Sequence, residues 1–546
     1  MNRSSVLLVA LFLSLYAAAV QPREPEDSIT PEALRSHVRF LSDDLLEGRG
    51  TGTRGHEIAA HYVASQFEGM GLKPAGDNGS YFQQVHLRQA IFKADQSSFS
   101  LVINGEEHPQ TLEQHWYSAG DFIYPDANVE AKVVFVGFGL SAPEMNHDDY
   151  AGVDVKGKIV AILPGAPEGW ETTVRAFYSS TYLKGKMAAE HGAIGTIGLW
   201  SPEFERHYAW RSALKNFKFP IMHALGENNL PIDTYPELKG SVAVPVEKTR
   251  EILATSGHDP DKICADADAG KVQSFDLPVT AKIHLVTEHR AISSPNVVAI
   301  LEGSDPKRKS EYVVYSAHLD HLGIGNPDRG DSINNGAYDN ATGSACLIEV
   351  ARAFSKMTPR PKRSILFINV TAEEKGLQGA YYFSVHPTVP AESMVADINM
   401  DELASLYPLK DIVALGAEHS SLNNDLIAAA KQVGFEISPD PFPEETDFVR
   451  SDQFPFVRRG VPAIFIEPGM KSTDPHIDAK AVYMNWLQNI YHSPHDEITL
   501  PFDWPSNAKL AKLNFLIGQR VANAPSRPTW KKNDIFQQKF GGPAAP

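Results

Sequence analysis

The sequence predicts an α/β fold: a doubly wound, mostly parallel sheet with helices on both faces, interrupted by a β-rich insert. Three observations lead there. From residue 286 onward, apolar runs of strand length alternate with helical stretches, the pattern of a parallel sheet with crossover helices. Over residues 95–285 the texture changes to strand-like runs separated by Gly and Pro turns. The His and acidic residues that stand out follow the later strand runs directly, at the carboxyl ends where open α/β sheets bind ligands.

The amino terminus reads as a signal peptide over residues 1–19. Arg3 supplies the positive charge, and residues 6–16 are an apolar run too short to span a bilayer comfortably. Ala17-Ala18-Ala19 fits a small-residue cleavage site. This implies export, to the periplasm or the medium, with no membrane attachment once the peptide is removed. Residues 28–94 form the first part of the main domain. Thr30-Pro31-Glu32 caps a helix striped by Leu34, Val38, Phe40 and Leu41. A glycine-rich loop spans residues 47–55. It lacks a Lys-Ser/Thr ending and follows no strand, so it is not a phosphate cradle. A second helix follows, with Ala59, Tyr62, Val63 and Phe67 on one face and Gly71 as its stop.

In the insert, residues 99–103, 132–136 and 158–163 are strand runs and residues 184–191 a helix. His207, His223 and His258 are scattered and read as structural or solvated. In the main part, residues 286–525, the apolar runs 297–301, 312–316, 365–370, 395–400 and 463–466 suit buried strands. Residues 345–353 and 377–383 suit helices. The tail, residues 526–546, is expected to be loosely ordered.

The chain has 546 residues, enough for several domains, and its 42% apolar and 21% charged content is ordinary for a globular protein. A net charge of -17 repels a polyanion, which excludes nucleic acid as a partner. Two distant cysteines, Cys264 and Cys346, do not make a disulfide scaffold, and both thiols are expected to be free. The sequence assigns no oligomeric state.

Five short motifs hold the chemistry. They are Ser316-Ala317-His318-Leu319-Asp320, residues 336–343 around Asp339, Thr371-Ala372-Glu373-Glu374, Ile398-Asn399-Met400-Asp401, and residues 491–496 with Tyr491 and His492. Singly, each has a plain structural explanation: a hydrogen-bonded His, a solvated helix start, an Asp cap before Asn340. Together, two His and at least three carboxylates on one sheet edge would repel and desolvate one another unless cations were bound. Imidazole with carboxylate suits Zn²⁺, and the absence of Cys argues against a closed structural site. A carboxylate can bridge two ions about 3.5–4 Å apart.

In this order the motifs resemble the co-catalytic zinc aminopeptidase family, which also contains glutamate carboxypeptidases and, more distantly, glutaminyl cyclases. The resemblance covers nearly all of the mature chain. Residues 48–72 look like the family's amino-terminal helices, and residues 149–160 and 186–193 are similar to a protease-associated domain. It implies two Zn²⁺ ions and peptide substrates. Asp339 would bridge both ions, His318 and Asp401 would complete one, and Glu374 and His492 the other. Glu373 would be the general base. Asp320 would accept the second ring hydrogen of His318, and Tyr491 would donate to the oxyanion. Glu402-Leu403-Ala404 and Gln453 depart from the family's pattern, and the loop around Gln453 is expected to shape the substrate site. The function implied is an exported aminopeptidase. Glutamate carboxypeptidase-like or glutaminyl cyclase-like action stays open, with Arg450, Arg458 and Arg459 as candidates for holding a substrate carboxylate. A non-catalytic binding protein is disfavoured because every ligand and the base are present.

Overall fold

A computed structural model describes residues 24–216, 220–226 and 228–543. The expected signal peptide lies outside them. Among the described residues no helix is long and apolar enough to cross a membrane.

The first helices form as their caps dictate. Thr30 accepts from the Ala33 N–H at the start of α1 (Pro31–Leu41), and Thr53 from the His56 N–H at the start of α2 (Arg54–Gly69). The chain then enters β1 (Phe82–Phe92) and the insert. There, β2 (Asp126–Phe135), β3 (Ile159–Ile162), β4 (Gly195–Leu199) and β5 (Ser241–Val244) run parallel in the order β5-β4-β3-β2. Helices α3 (Thr172–Ser179), α4 (Thr181–Glu190), α5 (Val246–Ala254) and α6 (Pro260–Asp268) accompany them. The insert is therefore α/β rather than simply β-rich. Beside α4, which the sequence announces near residues 184–191, α3, α5 and α6 are only eight or nine residues long.

Strand β6 (Phe275–Leu301) joins the two parts. It pairs antiparallel with β2 up to Val286 and with β1 from Thr287 to Val297, so the expected boundary at 285/286 falls inside one continuous strand. Beyond it come β7 (Tyr312–His318), α7 (Thr342–Ser355), β8 (Ser364–Val370), α8 (Gln378–Val385), β9 (Met394–Asn399), β10 (Asp411–Leu415), α9 (Leu422–Val433), β11 (Ala463–Pro468) and α10 (Trp504–Asn523). The sheet order is β6-β8-β7-β9-β11-β10. The central strands β8, β7, β9 and β11 are parallel, as the alternation predicts, whereas β6 and β10 run antiparallel to their neighbours. Both faces are covered. Val313, Tyr315 and Ala317 pack under α1, α2, α7 and α10; Val314, Leu366 and Ile368 pack under Ala380 and Phe383 of α8.

Both thiols are free and buried. The tail is not loose as far as it is described. Helix α11 (Ile535–Phe540) buries Phe536, and Trp530, 1% exposed, donates from Nε1 to the Gly460 carbonyl at 2.9 Å.

Candidate metal centre

Strand register assembles the centre. His318 at the end of β7 lies opposite Val370 in β8, so Glu373 and Glu374 follow just beyond that strand's end. Ser316 lies opposite Asn399 in β9, which brings Asp401 level with His318. Asp339 arrives from the tight turn Ala337–Ala341 that leads into α7. Its position is set by Asp496, whose carboxylate accepts the Tyr338 N–H (2.8 Å) and the Asp339 N–H (3.0 Å). His492 follows the helix Ala479–Asn489, with φ at 54°.

All five expected metal ligands converge. His318 Nε2 is 2.9 Å from Asp401 Oδ1 and 3.2 Å from Asp339 Oδ1. The other Asp339 oxygen, Oδ2, is 3.3 Å from His492 Nε2, and that nitrogen is 3.2 Å from Glu374 Oε2. Asp339 therefore presents one oxygen to each of two ligand groups. A third imidazole, His321, joins the second group. Its Nδ1 is 2.6 Å from Glu374 Oε1 and 3.6 Å from Asp339 Oδ2. The ligand atoms of His318, Asp339 and Asp401 lie within 4.8 Å of one another, as do those of His321, Asp339 and Glu374. The His492 side chain keeps 29% exposure against 1% for His318, so the centre opens to solvent on the His492 side.

The electrostatics suit cations. Burial disfavours charge on His492, yet Glu374 and Asp339 raise its pKa to about 10. Burial likewise opposes His318, but Asp401, Glu373 and Asp339 push it well above its usual value. Asp339 and Glu374 are buried, yet the surrounding imidazoles hold both carboxyls well below the usual range. Six buried or half-buried acids and imidazoles thus face one another across ligand-length gaps. The donor set of imidazole and carboxylate without thiolate fits Zn²⁺. Glu373 behaves oppositely to Glu374. Burial, then Asp401, Glu374 and Asp452, push its carboxyl well above the usual range, and His318 opposes them only partly.

Two expected contacts are arranged differently. The second ring nitrogen of His318, Nδ1, donates to the backbone carbonyl of Asp320 at 3.1 Å, because the nearer carboxylate oxygen is 4.0 Å away. The Asp320 carboxylate instead accepts the Glu373 N–H (3.1 Å) and the Thr51 hydroxyl (2.8 Å), so it positions the expected base and the glycine-rich loop. Gln453 does not line an open site. It is 0% exposed and bonds Asn399 (2.8 Å) and the Phe448 carbonyl (2.7 Å). Its neighbour Ser451 is the residue that matters there, donating to Asp401 Oδ2 at 2.7 Å. Tyr491 stacks on the His492 ring, with centroids 3.8 Å apart.

Sequence reasoning missed His321, Ser451, Asp496 and Arg49. Arg49, 1% exposed, donates to the carbonyls of Leu41, Leu319, Asn335 and Gly336 and stitches the glycine-rich loop to the two ligand loops. The only signal for His321 was its place directly after the short motif that holds His318. Beside Asp401, half-buried Glu402, Asp447 and Glu467 form an acidic patch. Burial and mutual repulsion push Glu402 and Glu467 well above the usual range and Asp447 up to about 7. The candidate arginines form no cluster. Arg458 pairs with both oxygens of Asp233 (2.6 and 2.8 Å), and Arg450 lies 3.4 Å from Glu445 and 3.5 Å from Asp447.

Residues 296–517 match peptidase family M28. A probable zinc metalloprotease of Pyrenophora tritici-repentis (strain Pt-1C-BFP) is 26% identical over 271 residues, covering 44% of this chain and 59% of that protein. Aminopeptidase NAALADL1 of Mus musculus is 36% identical over 134 residues, 23% of this chain and 16% of that protein. The chain thus spans less than two thirds of either relative's length. A solved aminopeptidase from Aneurinibacillus sp. strain AM-1 shares the fold at a TM-score of 0.52. It is 18% identical, with 92% of this chain and 96% of that chain covered.

Proposed function

We propose that this chain, whose residues 296–517 match peptidase family M28, is an exported zinc aminopeptidase that holds two zinc ions and uses Glu373 as general base. The observation that carries the reading is Asp339, whose two oxygens face two separate ligand groups. His318 and Asp401 would hold one ion, and Glu374 and His492 the other, with His321 beside Glu374. When bound, such a pair of ions supplies Lewis acidity toward a peptide carbonyl and lowers the pKa of water to about 7.

The chain's own residues do the rest. Glu373, its N–H anchored on Asp320, takes the proton of the attacking water and passes it to the leaving amine. Its raised pKa suits a group that holds a proton between those two events. Tyr491, fixed against His492, donates to the developing oxyanion. The acidic patch of Glu402, Asp447 and Glu467 favours a substrate's free ammonium group over a carboxylate, which supports aminopeptidase over carboxypeptidase action. The pairing of Arg458 with Asp233 points the same way. The insert, read as a protease-associated domain, borders this patch through the Tyr208 hydroxyl, which donates to Glu445 at 3.0 Å, and would limit substrate length.

A peptide library, assayed with and without chelator, tests the reading. Loss of single residues from free amino termini, abolished by chelator, is expected. Glu373→Gln should cut kcat by about 10²–10⁴ with zinc content unchanged. Cleavage confined to acidic carboxyl termini, or full turnover by Glu373→Gln, would overturn it.

A further inference from the structure

Away from the candidate metal centre, three chain segments meet around one buried imidazole. His419 closes the turn Ala417–His419 after β10, Glu171 stands at the start of α3 in the insert, and Asp534 precedes α11 in the tail. His419 is 6% exposed. Its Nδ1 lies 2.6 Å from Asp534 Oδ2. Its Nε2 is buried, has no hydrogen-bond partner, and points toward Glu418 Oε1 at 3.5 Å. One ligand atom each from Glu171, Glu418 and His419 lie within 4.8 Å of one another. Thr173 bridges the two acids, donating to Glu418 Oε1 (2.6 Å) and lying 3.3 Å from Glu171 Oε1.

From this juxtaposition we propose that Glu171, Glu418 and His419 form a separate divalent-cation site that clamps the insert and the tail to the peptidase core. A carboxylate only accepts, so Asp534 fixes the Nδ1–H tautomer and turns the Nε2 lone pair toward the two acids. That arrangement is repulsive until a cation lies between them. One imidazole and two carboxylates suit Zn²⁺ or a similar first-row divalent ion, with the remaining positions taken by water. The competing occupant is a proton on Nε2, which would make His419 an imidazolium ion paired with Asp534 and Glu418.

Elemental analysis separates the two. The full chain is stripped with chelator, reloaded with Zn²⁺, desalted, and its zinc counted. Glu418→Gln changes a half-exposed side chain and Glu171→Gln an exposed one, so both variants should fold; His419→Gln is the third arm. Wild type is expected to retain one ion per chain more than each variant and to gain more in Tm on adding Zn²⁺, with hydrolysis by Glu418→Gln unchanged. Equal zinc counts and equal Tm gains in wild type and Glu418→Gln would leave only the imidazolium pair, and the site would be rejected.

Discussion

His321 carries the sharpest consequence at the scale of single residues. It is 0% exposed and bonds the Glu374 oxygen that does not face His492. Partners that orient a metal ligand in this way are worth about 10–100-fold in metal affinity. His321→Ala should weaken zinc binding by about that factor in a chelator competition, with the fold intact by circular dichroism; unchanged affinity would show that Glu374 needs no such support. The residues at strand ends were legible because register alone determines where they stand: His318, Glu373, Glu374 and Asp401 each follow an apolar run. His321, Ser451 and Asp496 were not. They act from loops whose paths depend on long-range contacts, such as the four carbonyls held by Arg49, and no local pattern encodes those contacts. Gly336 illustrates the dependence. Its φ of 59° suits glycine, and a Cβ there would lie 2.6 Å from the His321 ring.

Elements read well where apolarity decides them and poorly where it does not. Strands β7, β8 and β9 are buried along almost their whole length, so continuous apolar runs announced them. Only residues 297–301 of strand β6 form a continuous apolar run; residues 288–294 are mostly polar and partly exposed, although they pair with β1 throughout. In the insert, helix α4 brings a lysine into the core. Lys184 donates to the carbonyls of Phe138 (2.6 Å), Leu163 (3.2 Å) and Gly165 (2.7 Å), and burial lowers its pKa from 10.5 to about 7. Between pH 7 and 10.5 the unfolded chain therefore binds the proton that the folded chain has lost, and stability rises with pH across that window. Lys184→Met should flatten this slope in denaturant titrations at pH 7, 8.5 and 10. An unchanged slope would mean that the ammonium stays charged in the folded insert.

For the whole molecule, the governing feature is continuity. The insert shares β6 with the main sheet, and its core runs on into Phe448, Phe454, Trp530 and Phe536. The tail contains Pro, Gly and Lys and is expected from sequence to be loosely ordered, but Trp530 and Phe536 anchor it. Trp530→Ala should cost about 3–5 kcal/mol of stability, as deletion of a buried aromatic does; a loss below about 1 kcal/mol would mean the tail packs only loosely. Strands β7, β8 and β9 end at one rim and bring the candidate ligand loops together there, which is what lets a single aspartate face two groups. Zinc-anomalous diffraction from crystals of the reloaded protein tests that most directly. Two peaks about 3.5–4 Å apart, one on each side of the Asp339 carboxylate, are predicted. A single peak at the centre, or two that do not share Asp339, would contradict it.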